Sequence, residues 1–157
     1  APGSLHTSAM ELNQIKLDPA KMETGVWWQI EILADGRVDG FVVDEPKDGE
    51  ASLLIRPIGT AYQRALEKAQ EPHRAAIRAG DLPSDARAQI AAQALAQAVL
   101  VDWRGLTLGG EPLSYTVEQA VSLLSEPAWL SLSEFVGSAA QHRAAAIIEE
   151  EGRAAGN

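Results

Sequence analysis

The feature that most limits the fold of this chain is a change of hydrophobic period at Thr60. Before it, apolar residues alternate; after it, they recur every three to four positions. Alternation sends side chains to opposite faces of a strand, whereas recurrence near 3.6 gathers them on one face of a helix. Gly25-Val-Trp-Trp-Gln-Ile-Glu-Ile-Leu33 predicts a strand over 26–33, ended by the tight-turn signal Ala34-Asp35-Gly36. A second strand is expected over 38–43. Past the charged turn Glu45-Pro46-Lys47-Asp48-Gly49-Glu50, a third is expected over 51–55. Turns this short join antiparallel neighbours, because parallel strands need long crossovers. Leu12, Ile15 and Leu17, ahead of the turn signal Asp18-Pro19, fit a short extended segment.

Beyond Thr60, Tyr62, Ala65, Leu66 and Ala69 share one helical face, and Pro72 stops that run. A short helix is predicted over 73–79, closed by Gly80. The next, capped by Ser84 or Asp85, is predicted to run to about Trp103, with Ala91, Leu95, Val99 and Trp103 spaced by four and Ile90, Ala94 and Ala98 beside them. So much alanine favours the helix and permits close helix–helix approach. Gly105 to Pro112 reads as a loop centred on Gly109-Gly110. Thr116 then opens a helix with Gln119 at the capping-box position and a buried stripe of Val117, Ala120, Val121 and Leu124. Pro127 restarts the chain into a last helix carrying Leu132, Phe135, Val136, Ala139 and Ile147.

The predicted class is α+β, a small N-terminal antiparallel β-meander followed by a bundle of four to five helices. One domain over 10–150 accounts for a chain of 157 residues. Residues 1–9, small, polar and patternless, read as a vector-derived leader ahead of a natural start at Met10. Residues 151–157 read as a flexible tail.

Composition excludes several classes of function. The chain has no cysteine, hence no disulfide, no thiolate nucleophile and no Cys-based zinc site. Twenty-two acidic residues against 13 basic ones give a net charge of −9. The arginines are scattered and form no basic stripe interleaved with aromatics, so nucleic acid is not the expected partner. No apolar run is long enough to span a bilayer, and no membrane partner is expected. A chain without cysteine fits a reducing cytoplasm, which is the expected location.

Catalytic templates fail one by one. His73 and His142 lie on different predicted helices without a carboxylate at ligand spacing, and no His-Glu-x-x-His occurs, so no metal is expected. Val136-Gly137-Ser138-Ala139 supplies no nucleophile elbow. Gly105 to Gly110 lacks the Lys-Ser/Thr and the preceding strand of a phosphate loop. Asp39 and Asp44 flank a strand, and Glu149-Glu150-Glu151 is a solvated run. Asp102, between Val101 and Trp103, is read as hydrogen-bonding the loop that begins at Gly105. The chain is expected to be no enzyme, with no catalytic residue and no cofactor.

Trp27 and Trp28 are adjacent on a strand and must face opposite ways. Val26, Trp28, Ile30 and Ile32 form a uniformly apolar set that belongs against the helices. Trp27, Gln29, Glu31 and Leu33 form a mixed set on the side with access to water. Two readings of Trp27 stay open: cover by Leu12, Ile15 or Leu17 from the N-terminal segment, or membership of a protein-binding surface, where tryptophan is enriched. Trp27, Leu33 on the same face, and Trp129 at the Pro127 break are the candidate partner-binding residues.

An ordered series of segments resembles the tail assembly chaperones of long-tailed bacteriophages and prophages. Asp18-Pro-Ala-Lys-Met-Glu-Thr-Gly-Val-Trp27 is similar to the family's approach to its first strand. Leu54-Ile-Arg-Pro-Ile-Gly-Thr-Ala-Tyr-Gln-Arg-Ala-Leu66 resembles a strand ending in Arg and running into a Tyr-bearing helix. Val99-Leu-Val-Asp-Trp-Arg-Gly-Leu106 resembles a helix end followed by an apolar-Asp-Trp-x-Gly turn. Gly109-Gly-Glu-Pro-Leu-Ser-Tyr-Thr-Val-Glu-Gln-Ala120 and the stretch from Leu132 to Arg143 resemble the capped helix and the closing helix. Arg37 to Glu50 is longer than the connection expected, and Gly59-Thr60 stands where many relatives have an Asn-containing turn. The resemblance implies a non-enzymatic role. Such proteins bind the tape measure protein during tail morphogenesis, keep it soluble, and leave as tail tube protein assembles. It also implies self-association, absence from the finished virion and, in some relatives, a longer frameshifted form. The alternative is a structural tail or head–tail joining subunit retained in the particle.

Overall fold

The computed structural model describes residues 9–147. Two expectations fall outside them: the flexible tail 151–157 and the acidic run 149–151. Of the leader, only Ala9 lies within.

The expected meander is present. Strands β1 (Val26–Ile32), β2 (Val38–Val43) and β3 (Ser52–Ile55) pair antiparallel, with β1 between the other two. The helices Thr60–Gln70 (α2), Arg74–Ala79 (α3) and Ser84–Ala98 (α4) follow. Beyond them come Val117–Ser125 (α5) and Leu130–Gln141 (α6), and the fold is α+β. Gly80 closes α3 and Thr116 caps α5, its Oγ1 accepting from the Gln119 amide at 3.0 Å.

The largest departure is a fourth strand. Helix α4 ends at Ala98, and Leu100–Arg104 is strand β4, paired antiparallel with β3 to give the order β2-β1-β3-β4. Residues 99–103 were expected to continue the helix. The spacing of Val99 and Trp103 suits a helix, but Val99-Leu100-Val101 is rich in β-branched residues and meets the unpaired edge of β3. Pairing there satisfies backbone groups on both strands. The register steps from Leu54↔Asp102 to Ile55↔Leu100, leaving Val101 as the extra residue of a bulge.

Beyond β4 the expected loop contains a two-stranded hairpin, β5 (Thr107–Leu108) and β6 (Glu111–Pro112), turning at Gly109-Gly110. It folds back so that the Trp103 indole donates to the Leu113 carbonyl at 2.7 Å and the Tyr115 hydroxyl to the Leu100 carbonyl at 2.8 Å. The two rings meet edge to face at 4.9 Å. Gly105 makes the reversal possible, with φ +76° and a position where a Cβ would strike the Glu50 carbonyl.

Smaller corrections follow the same logic. Asp18-Pro19 starts a helix, α1 (Pro19–Thr24), rather than a bare turn, because Asp18 caps the Ala20 amide and proline suits the first helical position. Leu12–Ile15 is a 3₁₀ turn, and of the three apolar residues only Leu17 lies in the extended stretch that follows, bridging Ile147. Ile147 thereby leaves the face of the last helix, which ends at Gln141. Helix α4 is preceded by Pro83 at the cap position; Ser84 begins it and the Asp85 carboxylate accepts from the Ala86 amide. Val117, expected in the buried stripe of α5, is exposed, while Leu123 is buried in its place.

The core lies between one face of the sheet and helices α4, α5 and α6. Val26, Trp28, Leu53, Ile55, Leu100 and Trp103 meet Ala92, Ala96, Phe135, Val136, Ala139 and Ala140. Leu53, Ile55 and Leu100 are essentially sealed, each contributing about 1.5–3 kcal/mol by burial. The burial of the sheet's apolar set falls off along β1: Val26 and Trp28 are buried, Ile30 half-buried, and Ile32 is 80% exposed.

Candidate protein-binding surfaces

Strand alternation places Trp28 in the core, and Trp27 points the other way. Trp28 packs edge to face on Phe135 at 5.8 Å and on His142 at 6.0 Å. Phe135 reaches the sheet because β2 carries Gly40 at the contact; a Cβ there would lie 2.9 Å from the phenyl ring and 2.6 Å from the Gln29 carbonyl.

On the opposite face, cross-strand pairing groups Trp27 with Val43 and Leu54, and Gln29 with Phe41 and Ser52. Trp27, Val43 and Leu54 are half-buried and Phe41 is 53% exposed. Leu12 and Ile15 remain 68% and 60% exposed, while Leu17, the third of that segment, is half-buried and bridges Ile147. The group lying over the Trp27 indole is the Arg104 guanidinium of β4, 5.5 Å from the ring centroid. Leu33 falls outside the patch. Strand β1 ends at Ile32, and Leu33 sits in the hairpin turn, bonded through its backbone to Arg37 and Gly36. It is roughly 20 Å from Trp27 by strand rise. Phe41 belongs in the patch instead. Its signal was available, since Phe41 and Val43 are two apart on a predicted strand, but which face they share depends on register.

Beneath this surface Ser52 is fully buried, and neither its Oγ nor the Gln29 Oε1 has a hydrogen-bond partner among the described residues. Asp102, on the same face, accepts from the Trp103 amide at 2.8 Å rather than from the loop at Gly105. Burial and the nearby Asp102 charge raise the Tyr115 hydroxyl above its ordinary pKa of 10.0, with the Arg56 charge opposing them.

Trp129 lies in a 3₁₀ turn, Pro127–Trp129, that leads into α6. It is 37% exposed, next to Leu130 at 58%. Beside this turn runs an apolar groove of about 550 Å³, walled by α4, the end of α5 and the start of α6. A second cleft of about 550 Å³ opens between β2 and α6, floored by Trp28 and Phe135 and rimmed by Arg37, Asp39, Glu134 and His142. Arg37 is already engaged there, its Nε 2.6 Å from the Asp35 carboxylate. Thus Trp27 and Trp129 mark two separate surfaces, each able to bury apolar area against another protein.

Among the described residues no three His, Asp or Glu side chains gather as a metal site, and no helix is long and apolar enough to cross a membrane. A family model described as YdaY prophage protein matches residues 58–157. No curated protein and no solved structure matches the chain.

Proposed function

The chain belongs to the YdaY prophage protein family, whose model spans residues 58–157, and from that premise we propose that it is a non-enzymatic tail assembly chaperone. In this reading it binds the tape measure protein in the host cytoplasm, keeps that partner soluble, and yields to tail tube protein. The observation that carries it is the pairing of a strongly acidic chain with uncovered apolar surface: Phe41 beside Trp27 on the sheet, and Trp129-Leu130 on the helices. A net charge of −9 keeps copies apart from bulk aggregation, while the apolar patches supply contact area. The resemblance of the ordered segments adds the choice of partner and the expectation of self-association. It needs no cofactor and no metal.

The test is light scattering after size exclusion, on the chain alone and co-expressed with the tape measure protein of the same genome. A soluble complex formed only when both are present is expected. Tape measure protein left insoluble, with the chain found stoichiometrically in purified particles, would refute the proposal in favour of a structural tail or head–tail joining subunit.

A further inference from the structure

The groove beside Trp129 has a composition that specifies its occupant. Ala88, Ala91 and Ala92 of α4 form its floor, and Leu95, Leu124 and Leu130 its apolar walls. The titratable groups that line it are all carboxylates: Asp85 from the start of α4, Glu126 from the end of α5 and Glu134 from α6. Among the described residues no Lys, Arg or His lines it. The shape is held open in advance, because the Ser133 hydroxyl donates to the Leu124 carbonyl at 2.8 Å and ties α6 to the end of α5.

Each of these features narrows the choice. A floor of alanines lets another backbone approach to the short end of the usual 8–10 Å helix spacing. Helical walls have largely spent their backbone donors and acceptors on themselves, so a buried occupant must satisfy its own, as a helix does. Three carboxylates, with no cation among the described residues that line the groove, ask for basic residues beside the apolar stripe. A second copy of this chain, itself at −9, is disfavoured by those same charges.

We propose that this groove docks an amphipathic α-helix of a partner protein whose stripe of leucine-sized side chains is flanked by lysine or arginine. The inference rests on the chaperone reading for the identity of that partner, and its test separates the two.

The probe is a fluorescein-labelled synthetic helix of about 18 residues, roughly 27 Å long, with a leucine stripe flanked by lysines. A sister peptide carries glutamate in place of every lysine. Binding to the full chain is followed by fluorescence anisotropy. The lysine peptide should bind at least about tenfold tighter than its sister, and the gap should shrink with added salt. Reversing the rim (Asp85→Lys, Glu126→Lys, Glu134→Lys) should abolish or invert the preference, and Leu130→Ser should weaken binding about tenfold. All four side chains are exposed, and unchanged thermal melts verify that the variants fold.

Equal binding of the two peptides overturns the proposal, as does no binding at about 1 mM or indifference to rim reversal. So does a dimer that Leu130→Ser dissolves, which would make a second copy the occupant. Tape measure protein that stays soluble with every groove variant refutes the groove and leaves the chaperone reading intact. Peptide preference without co-solubilisation supports the groove and removes that reading.

Discussion

Trp27 and Trp28 differ by one position, and substituting each in turn should separate surface from core. Trp28 is 8% exposed and packs on Phe135 and His142. Truncating so buried an indole removes its transfer free energy and leaves a cavity, together about 3–5 kcal/mol. For a chain this size each kcal/mol moves the melting temperature by about 2–4 °C. Trp28→Ala should therefore lower it by roughly 6–20 °C. Trp27 is half-buried, with the Arg104 guanidinium 5.5 Å above it and Val43 and Leu54 across the strands. An exposed cation–π contact contributes about 0.5–1 kcal/mol and each cross-strand pair about 0.2–1 kcal/mol. Trp27→Ala should thus cost about 1–3 kcal/mol, or roughly 2–12 °C, with an unchanged far-UV circular dichroism spectrum. Tape measure binding should weaken in the same variant. Arg104→Ala supplies an internal control: its cost should largely vanish in the Trp27→Ala background, a coupling that a double-mutant cycle measures directly. A loss for Trp27→Ala as large as that for Trp28→Ala would refute the assignment of faces.

Ser52→Ala should be neutral or stabilising by up to about 1 kcal/mol, because the hydroxyl is buried without a partner among the described residues; a lower urea midpoint would contradict this. Gly105→Ala should destabilise by at least about 2 kcal/mol, since a left-handed φ and the Glu50 carbonyl both oppose a Cβ, and the urea midpoint should fall with an unchanged slope. The raised pKa of Tyr115 means the folded chain holds that proton longer than the unfolded one. Its contribution is complete below pH 10 and is lost as pH climbs from there through the raised value. Tyr115→Phe should flatten this alkaline decline in the urea midpoint, at the cost of the hydrogen bond to the Leu100 carbonyl.

What the sequence discloses here divides along the range of the interactions. The β1–β2 hairpin is signalled by Asp35-Gly36, and the Trp27–Trp28 split follows from strand parity; both are local and both hold. Helix α2 and its stop at Pro72 are equally local. Strand β4 is not, because its partner β3 lies more than forty residues upstream, and Val99 and Trp103 satisfy helical spacing when read alone. Leu33 was grouped with Trp27 on the assumption that alternation continues past Ile32, where the chain turns instead. Phe41 needed the register of β2 on β1. The groove draws its carboxylates from positions 85, 126 and 134, so no window of sequence contains it, although Trp129 marked its vicinity.

The dependence of β3 on β4 also sets a timetable for the chain as it leaves the ribosome. The β1–β2 hairpin can close within about 1–10 μs of emerging. Residues 56–99 must then be translated before Leu100–Arg104 can cover the far edge of β3. At about 5–20 residues per second that takes roughly 2–10 s, about a million-fold longer. Throughout that interval Leu53 and Ile55 await the partners that later seal them, on a strand whose outer edge is bare. Neighbouring ribosomes on one message carry the same bare edge. Pausing after β3 has emerged and before Leu100–Arg104 has done so should therefore lower the soluble yield.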